Sequence, residues 1–478
     1  MYRPCYQFVF IIILFIFISL AFSLVIPVFN APDEPFHFEY IQFLAKNKSF
    51  PNQTIANESI STEGFNPPLY YFIKAIFLSF LSPNKAADIK IHNHQDIARF
   101  YNDPSKGFRT EIYPPINPNY VKWPQGKDKN MFLTTKEDRF PFSDSVRVLH
   151  LLRIISVFFG CLTIIFIFKT AHIIFPNNKN LSLLAASLCA FNPQFNFLSG
   201  SLNNDNLVIL WATLAIWLLT KLMLNEYKDQ KKIMIFLGLC IGFGFITKVN
   251  LSGIAIIIVI GIIYKSMAER QEKFKSLFTN LILFIGPIGI ISGWYFVRNV
   301  YMYGLKDPLG WRLQAIQNPT LILPAQYRGV FFKKIFFQRL FTSFWGLFDW
   351  LTIFLPNSAY WIYGLITMMG IAGLVNSLWG ERHPKRIKMC FLLYLVAILI
   401  SIANLVILNF TFLSAQARLI FPAMACICIF IALGIDIAFR YFAKWLKIKA
   451  LILVYGFILL LIGMDLYALV WVIYPIYR

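Results

Sequence analysis

The chain has 478 residues, of which 58% are hydrophobic, 17% aromatic and only 14% charged, and its mean hydropathy is +0.61. So little polar surface cannot cover a water-facing globule, which excludes a soluble protein. The net charge of +21 is spread in short clusters between apolar runs, with no basic domain to grip a phosphate backbone, which excludes nucleic acid as a partner.

An apolar run of about 20 residues crosses the hydrocarbon of a bilayer. The first such run is Phe8 to Phe29. It has no small-residue cleavage site before Asn30, so it reads as a retained span and not as a cleaved signal peptide. A long polar segment follows, residues 30–145. Within it, Phe36, Tyr40, Phe43 and Leu44 recur at helical spacing, which predicts an amphipathic helix over Asp33 to Lys46. Pro67-Pro68-Leu69-Tyr70-Tyr71 opens a second helix to Leu81, too short to span and expected along the interface. Ten further spans are read between Val146 and Tyr474. The shortest form a pair around Lys248, which the Lys-rich flanks on both sides require to go out and return.

The expected fold is therefore an all-α polytopic membrane protein of about 11 transmembrane helices, one domain over 1–478, with 30–145 as its first extracytoplasmic loop. Cations gather in the loops holding Lys169, Lys231, Arg270, Lys385 and Arg440, while the turns near Asn203, Lys248 and Arg418 carry fewer. By the positive-inside rule the second set faces outward. Six of the seven cysteines lie inside apolar runs and none in the long polar loop, so neither a disulfide framework nor a cysteine-based zinc site is expected.

This topology collects polar groups at the outer boundary: Asp33 and Glu34 after the first span, Arg153, the run Asn203-Asn204-Asp205, Lys248, Arg298 and Arg418. Singly, the arginines read equally well as headgroup anchors and Asp205 as a helix cap. Together, several cations and acids on one membrane face suit a phosphate-bearing lipid substrate. A carboxylate there can take the proton of an attacking hydroxyl, and Asp33 is read as that base. His92 and His94 read as solvated, Asp436 and Asp465 as structural. The Asn-x-Ser/Thr triplets of the first polar segment, beginning at Asn47, Asn52 and Asn57, are matches frequent by chance.

At this point the chain resembles the GT-C superfamily of multispanning glycosyltransferases, in the branch holding protein O-mannosyltransferases and the lipid A aminoarabinose transferase. It also resembles a bacterial membrane-protein family of unknown function. The pieces that carry the likeness are Pro32-Asp33-Glu34-Pro35-Phe36-His37-Phe38, Pro67-Pro68-Leu69-Tyr70-Tyr71, Leu152-Arg153-Ile154, Asn203-Asn204-Asp205, Thr247-Lys248, Tyr295-Phe296-Val297-Arg298-Asn299 and Ala417-Arg418-Leu419. The resemblance implies an inverting transferase in the bacterial inner membrane, moving a sugar from a polyprenyl-phosphate donor to a glycan, lipid or protein acceptor. It makes Asp33, beside Glu34, the catalytic base. Arg153 and Lys248, with Arg298 or Arg418, would contact the donor phosphate, and His37, Tyr70, Tyr71 and Asp205 would line the substrate site. No cofactor is required by this reading, and a divalent metal assisting Asp33 and Glu34 is left open. A flippase of lipid-linked sugars and a glycan polymerase or ligase are the alternatives.

Overall fold

The computed structural model describes residues 6–55, 58–81, 141–142, 144–224, 229–268, 273–318, 322–380 and 383–477. His92, His94 and Asn57, the first residue of its triplet, lie outside them. Nine helices among the described residues are long and apolar enough to cross a membrane: Tyr6–Val25, Val146–Ile174, Asp205–Leu224, Val249–Met267, Lys273–Tyr303, Asn357–Trp379, Lys385–Asn409, Ala417–Leu446 and Ala450–Tyr477. The chain is an all-α integral membrane protein. Its described strands are one short antiparallel hairpin, Leu347–Phe348 with Ile353–Phe354, and a single bridge between Ile322 and Phe412.

The two remaining expected spans differ in form. Lys179–Ala190 and Pro193–Ser199 are bent by 60° against each other. The break has a local cause: the Asn192 side chain accepts the Phe195 amide at 2.9 Å, and Pro193 opens the new helix in its first turn. Gln230–Phe245 has only 16 residues, about 24 Å of helix, against roughly 30 Å of hydrocarbon. It still runs from the far end of Asp205–Leu224 back to the Asp205 end, because Lys248 Nζ reaches Asp205 Oδ1 at 2.6 Å. Gly238 seats it against Lys273–Tyr303, where a Cβ would stand 2.2 Å from the Phe284 carbonyl oxygen.

One apolar core runs through the spans, and a second lies under the first loop, where Val28, Phe38 and Ile41 pack with Tyr70, Leu149 and Leu202. Helix Glu34–Asn47 lies over this second core and helix Leu69–Leu81 packs beside it, as the periodicity predicts. Two acids within the later spans have partners. Asp465 accepts from Asn196 at 2.7 Å, and Asp436 accepts from Asn178 and Arg440, each at 2.9 Å. The six described cysteines are buried and unbridged.

Candidate active site

The chain leaves the first span through a tight turn in which Phe29 and Asp33 both take left-handed backbone, with φ of +69° and +64°. Asp33 stands at the N-cap of Glu34–Asn47, yet its side chain makes no capping bond. A capping aspartate ordinarily turns its oxygen onto the first helical amides. Here the left-handed turn leaves the carboxylate directed instead at Arg418, whose Nη2 donates to Asp33 Oδ2. Arg418 opens the helical segment Ala417–Leu446, so the contact joins positions 385 residues apart.

Behind this pair lies a second acid. Asp205 is fully buried; its Oδ1 accepts from Lys248 at 2.6 Å, and its Oδ2 lies 3.6 Å from Arg418 Nε. Lys248 also donates to Asn204 Oδ1 at 3.1 Å. Four groups named from the sequence, Asp33, Asp205, Lys248 and Arg418, thus form one alternating charge cluster. Its open members are Asp33, with 29% of its side chain exposed, and Lys248, with 17%. Burial works against the Asp33 charge, but the surrounding groups, the Arg418 guanidinium foremost, outweigh it and hold the carboxyl below the usual range.

On the other side of Asp33 stands a group only partly foreseen. His37 Nδ1 lies 3.0 Å from the Tyr71 hydroxyl and 3.2 Å from Glu63 Oε2. Tyr71 donates to that oxygen at 2.8 Å and accepts from Asn204 at 3.1 Å. Since the single hydroxyl hydrogen of Tyr71 goes to Glu63, His37 Nδ1 carries the proton, and its buried Nε2 is left without a hydrogen-bond partner. Burial, with Arg418 and Lys248 nearby, lowers His37 to about 3, so the ring is neutral. Burial, then the Asp33 charge, raises Glu63 to about 7. Glu63 gives no signal in the sequence. It sits in the single turn Thr62–Phe65, held because Gln53 donates to Ile60 O at 2.8 Å and to Ser61 O at 3.1 Å.

Glu34 and Arg153, expected as a second catalytic acid and a phosphate ligand, occupy a different place. Both are fully buried. Arg153 Nε donates to Glu34 Oε1 at 2.8 Å and Nη2 to Oε2 at 2.5 Å, and its remaining N–H groups meet the carbonyls of Ser23, Ile26 and Pro27. The Phe29 and Leu202 amides complete the Glu34 carboxylate, each at 2.9 Å. All five guanidinium hydrogens and both carboxylate oxygens are engaged, leaving nothing for a substrate. Arg298 is set apart as well: its Nη2 donates to Pro51 O at 2.6 Å and its guanidinium lies 5.9 Å from the centre of the Phe50 ring, which fastens the first loop to its span. Tyr70 is fully buried, its hydroxyl 3.4 Å from Ser156, with Lys74 Nζ 4.7 Å from its ring centre.

Asp33, His37 and Glu63 each bring one donor atom within 4.8 Å of the others, close enough to share a divalent cation. Asp33 Oδ2 meets Arg418, His37 Nδ1 meets Tyr71, and Glu63 Oε2 meets Tyr71 and Asn66. In this structure the three side chains are held by hydrogen bonds and by the ion pair of Asp33 with Arg418.

Residues 147–295 match the family model of dolichyl-phosphate-mannose-protein mannosyltransferase. The matched stretch holds Arg153, Asp205 and Lys248, and it agrees with the likeness read from the motifs. Similar solved structures include the Archaeoglobus fulgidus oligosaccharyltransferase tethered with an acceptor peptide, with 13% identity and a TM-score of 0.49 over 99% of this chain and 55% of that one. The chain therefore spans about half the length of that protein. ArnT from Cupriavidus metallidurans bound to undecaprenyl phosphate is 12% identical with a TM-score of 0.47, covering 99% of this chain and 75% of that one. The S. cerevisiae protein O-mannosyltransferase complex bound to the sugar donor is 14% identical with a TM-score of 0.38, covering 65% and 35%. No curated protein matches the sequence.

Proposed function

We propose that the protein is an inverting membrane glycosyltransferase that moves a sugar from a polyprenyl-phosphate donor to a hydroxyl of a glycan, lipid or protein. The observation that carries this reading is the placement of a part-exposed carboxylate, Asp33, against two cations, Arg418 and Lys248, that share a buried counter-acid, Asp205. The family match over 147–295 supports a lipid-phosphate sugar donor. Asp33 takes the proton of the acceptor hydroxyl as its oxygen bonds to the anomeric carbon. The bond from that carbon to the phosphate oxygen breaks, and its electron pair leaves with the phosphate. Lys248 and Arg418 stabilise the negative charge that grows there. One base and one direct displacement invert the sugar. Glu34 and Arg153 take no part in the chemistry and shape the turn that presents Asp33.

Purified protein incubated with a panel of radiolabelled polyprenyl-phosphate sugars is expected to release label from the lipid. Asp33→Asn is expected to slow that release by about 100-fold or more, the usual loss when a positioned base is removed, while eluting as a folded protein. Near-normal turnover by the folded variant overturns the assignment of the base.

A further inference from the structure

Arg418 stands between two carboxylates and completes its contact with only one of them. Its Nη2 is on Asp33, while its Nε points at Asp205 Oδ2 from 3.6 Å. That is just too long for a hydrogen bond, which closes at about 2.7–2.9 Å between charged partners. Both atoms of this unmade contact are buried without a hydrogen-bond partner. Two oppositely charged atoms that pair at 3.6 Å inside a protein without closing a hydrogen bond call for an explanation, because buried polar groups ordinarily make one. A shift of about 1 Å would join them. The same structure presents Asp33 as a masked base, since a carboxylate held by a guanidinium is a weak proton acceptor.

We infer that Arg418 is a handover residue: a seated donor phosphate draws its guanidinium from Asp33 onto Asp205 Oδ2, which unmasks the base only when donor is present. The inference rests on the proposed transferase reading and adds to it. Asp205 acts as the positioning residue. It anchors Lys248 through Oδ1 and keeps Oδ2 as the landing point for Arg418 Nε, so the freed Nη groups turn to the phosphate. The unassisted base is thereby kept from drawing protons from water or from a lone acceptor. The charged and titratable groups facing Asp33 are Arg418, Lys248, His37, Glu63 and Asp205. Of the two cations, Lys248 has its ion pair with Asp205 already closed, whereas Arg418 has one contact still to make.

The test follows the protonation of Asp33 directly, by the pH dependence of its labelling with a hydrophobic carbodiimide in the full-length protein, quantified on the Asp33 peptide. Adding undecaprenyl phosphate is expected to move the labelling midpoint upward by about one pH unit or more, the scale of a lost guanidinium contact. Asp205→Asn is expected to abolish the shift, and Asp205→Glu to restore it, which a merely structural role for Asp205 would not produce. A shift with the lipid alone assigns the trigger to the anchored phosphate. A shift with inorganic phosphate as well assigns it to the phosphate group, and both outcomes uphold the handover. An unchanged midpoint with lipid bound, as measured by thermal shift, overturns the handover and leaves the transferase reading intact. Retention of the full shift in a folded Asp205→Asn protein also overturns it, because the phosphate charge would then act through space. Failure of undecaprenyl phosphate to bind overturns both.

Discussion

At the scale of single residues, the cluster separates groups by what surrounds them. Asp33, Asp205, Lys248 and Arg418 were legible because each lies at the end of an apolar run, where an ion is costly unless it serves a purpose. Glu34 and Arg153 carry the same signal and serve differently, since a sequence does not tell whether an ion is saturated by its own backbone. Glu63 was missed because its neighbours in a polar loop have no periodicity to mark it. Its environment has a consequence that can be measured. The ordinary glutamate value of 4.5 holds in the unfolded chain, and the folded value is about 7. The folded protein therefore holds more protons across that window. Its stability falls as pH rises through the window, and the loss is complete above it. Glu63→Gln is expected to flatten the decline in thermal midpoint in detergent between about pH 5 and 8. An equal decline in the variant and the parent would count against the raised carboxyl.

At the scale of elements, the Glu34–Arg153 pair joins the turn after the first span to the start of the second and, through the Leu202 amide, to the segment before Asp205–Leu224. Breaking a buried pair by removing one partner leaves an uncompensated charge and costs about 3–5 kcal/mol. Glu34→Gln is thus expected to lower the thermal midpoint substantially, and in the fraction that remains folded to keep sugar-transfer turnover within about a factor of ten. A variant as stable as the parent but inactive would return Glu34 to the chemistry. The helices were legible to different degrees for related reasons. Tyr6–Val25 is predominantly apolar and legible from its run of hydrophobic residues, though it ends four residues before the expected Phe29. The break at Asn192-Pro193 has an N-cap and a proline that mark a helix start, but the surrounding hydrophobic run made it look continuous. Arg298 looked like a site residue because it ends a span; what it fastens is the backbone at Pro51, a contact 247 residues away that no local pattern announces.

At the scale of the whole molecule, the site groups alternate consistently with the direction of the helices. Asp33 follows the first span, Asp205 begins another, Lys248 lies between two helix ends, and Arg418 begins a late one. The last helix also ends on this face, where the Tyr477 hydroxyl donates to Asp349 at 3.0 Å and the hairpin loop reaches Phe29 through Trp350 at 3.3 Å. Lys46 is exposed on the site face, and Lys444 is exposed at the opposite end. In intact cells, Lys46→Cys is expected to react with a membrane-impermeant maleimide and Lys444→Cys only after permeabilisation; the reverse pattern would invert the orientation. The saturated glutamate after the first span has a further consequence for biosynthesis. Its guanidinium partner is made 119 residues later and its last amide donor 168 residues later. A nascent chain therefore carries an unpaired acid at the membrane edge until Arg153 has been made, and an incompletely bonded one until Leu202 has been made. The turn that carries Asp33 cannot reach its final form before then, so translation itself delays it.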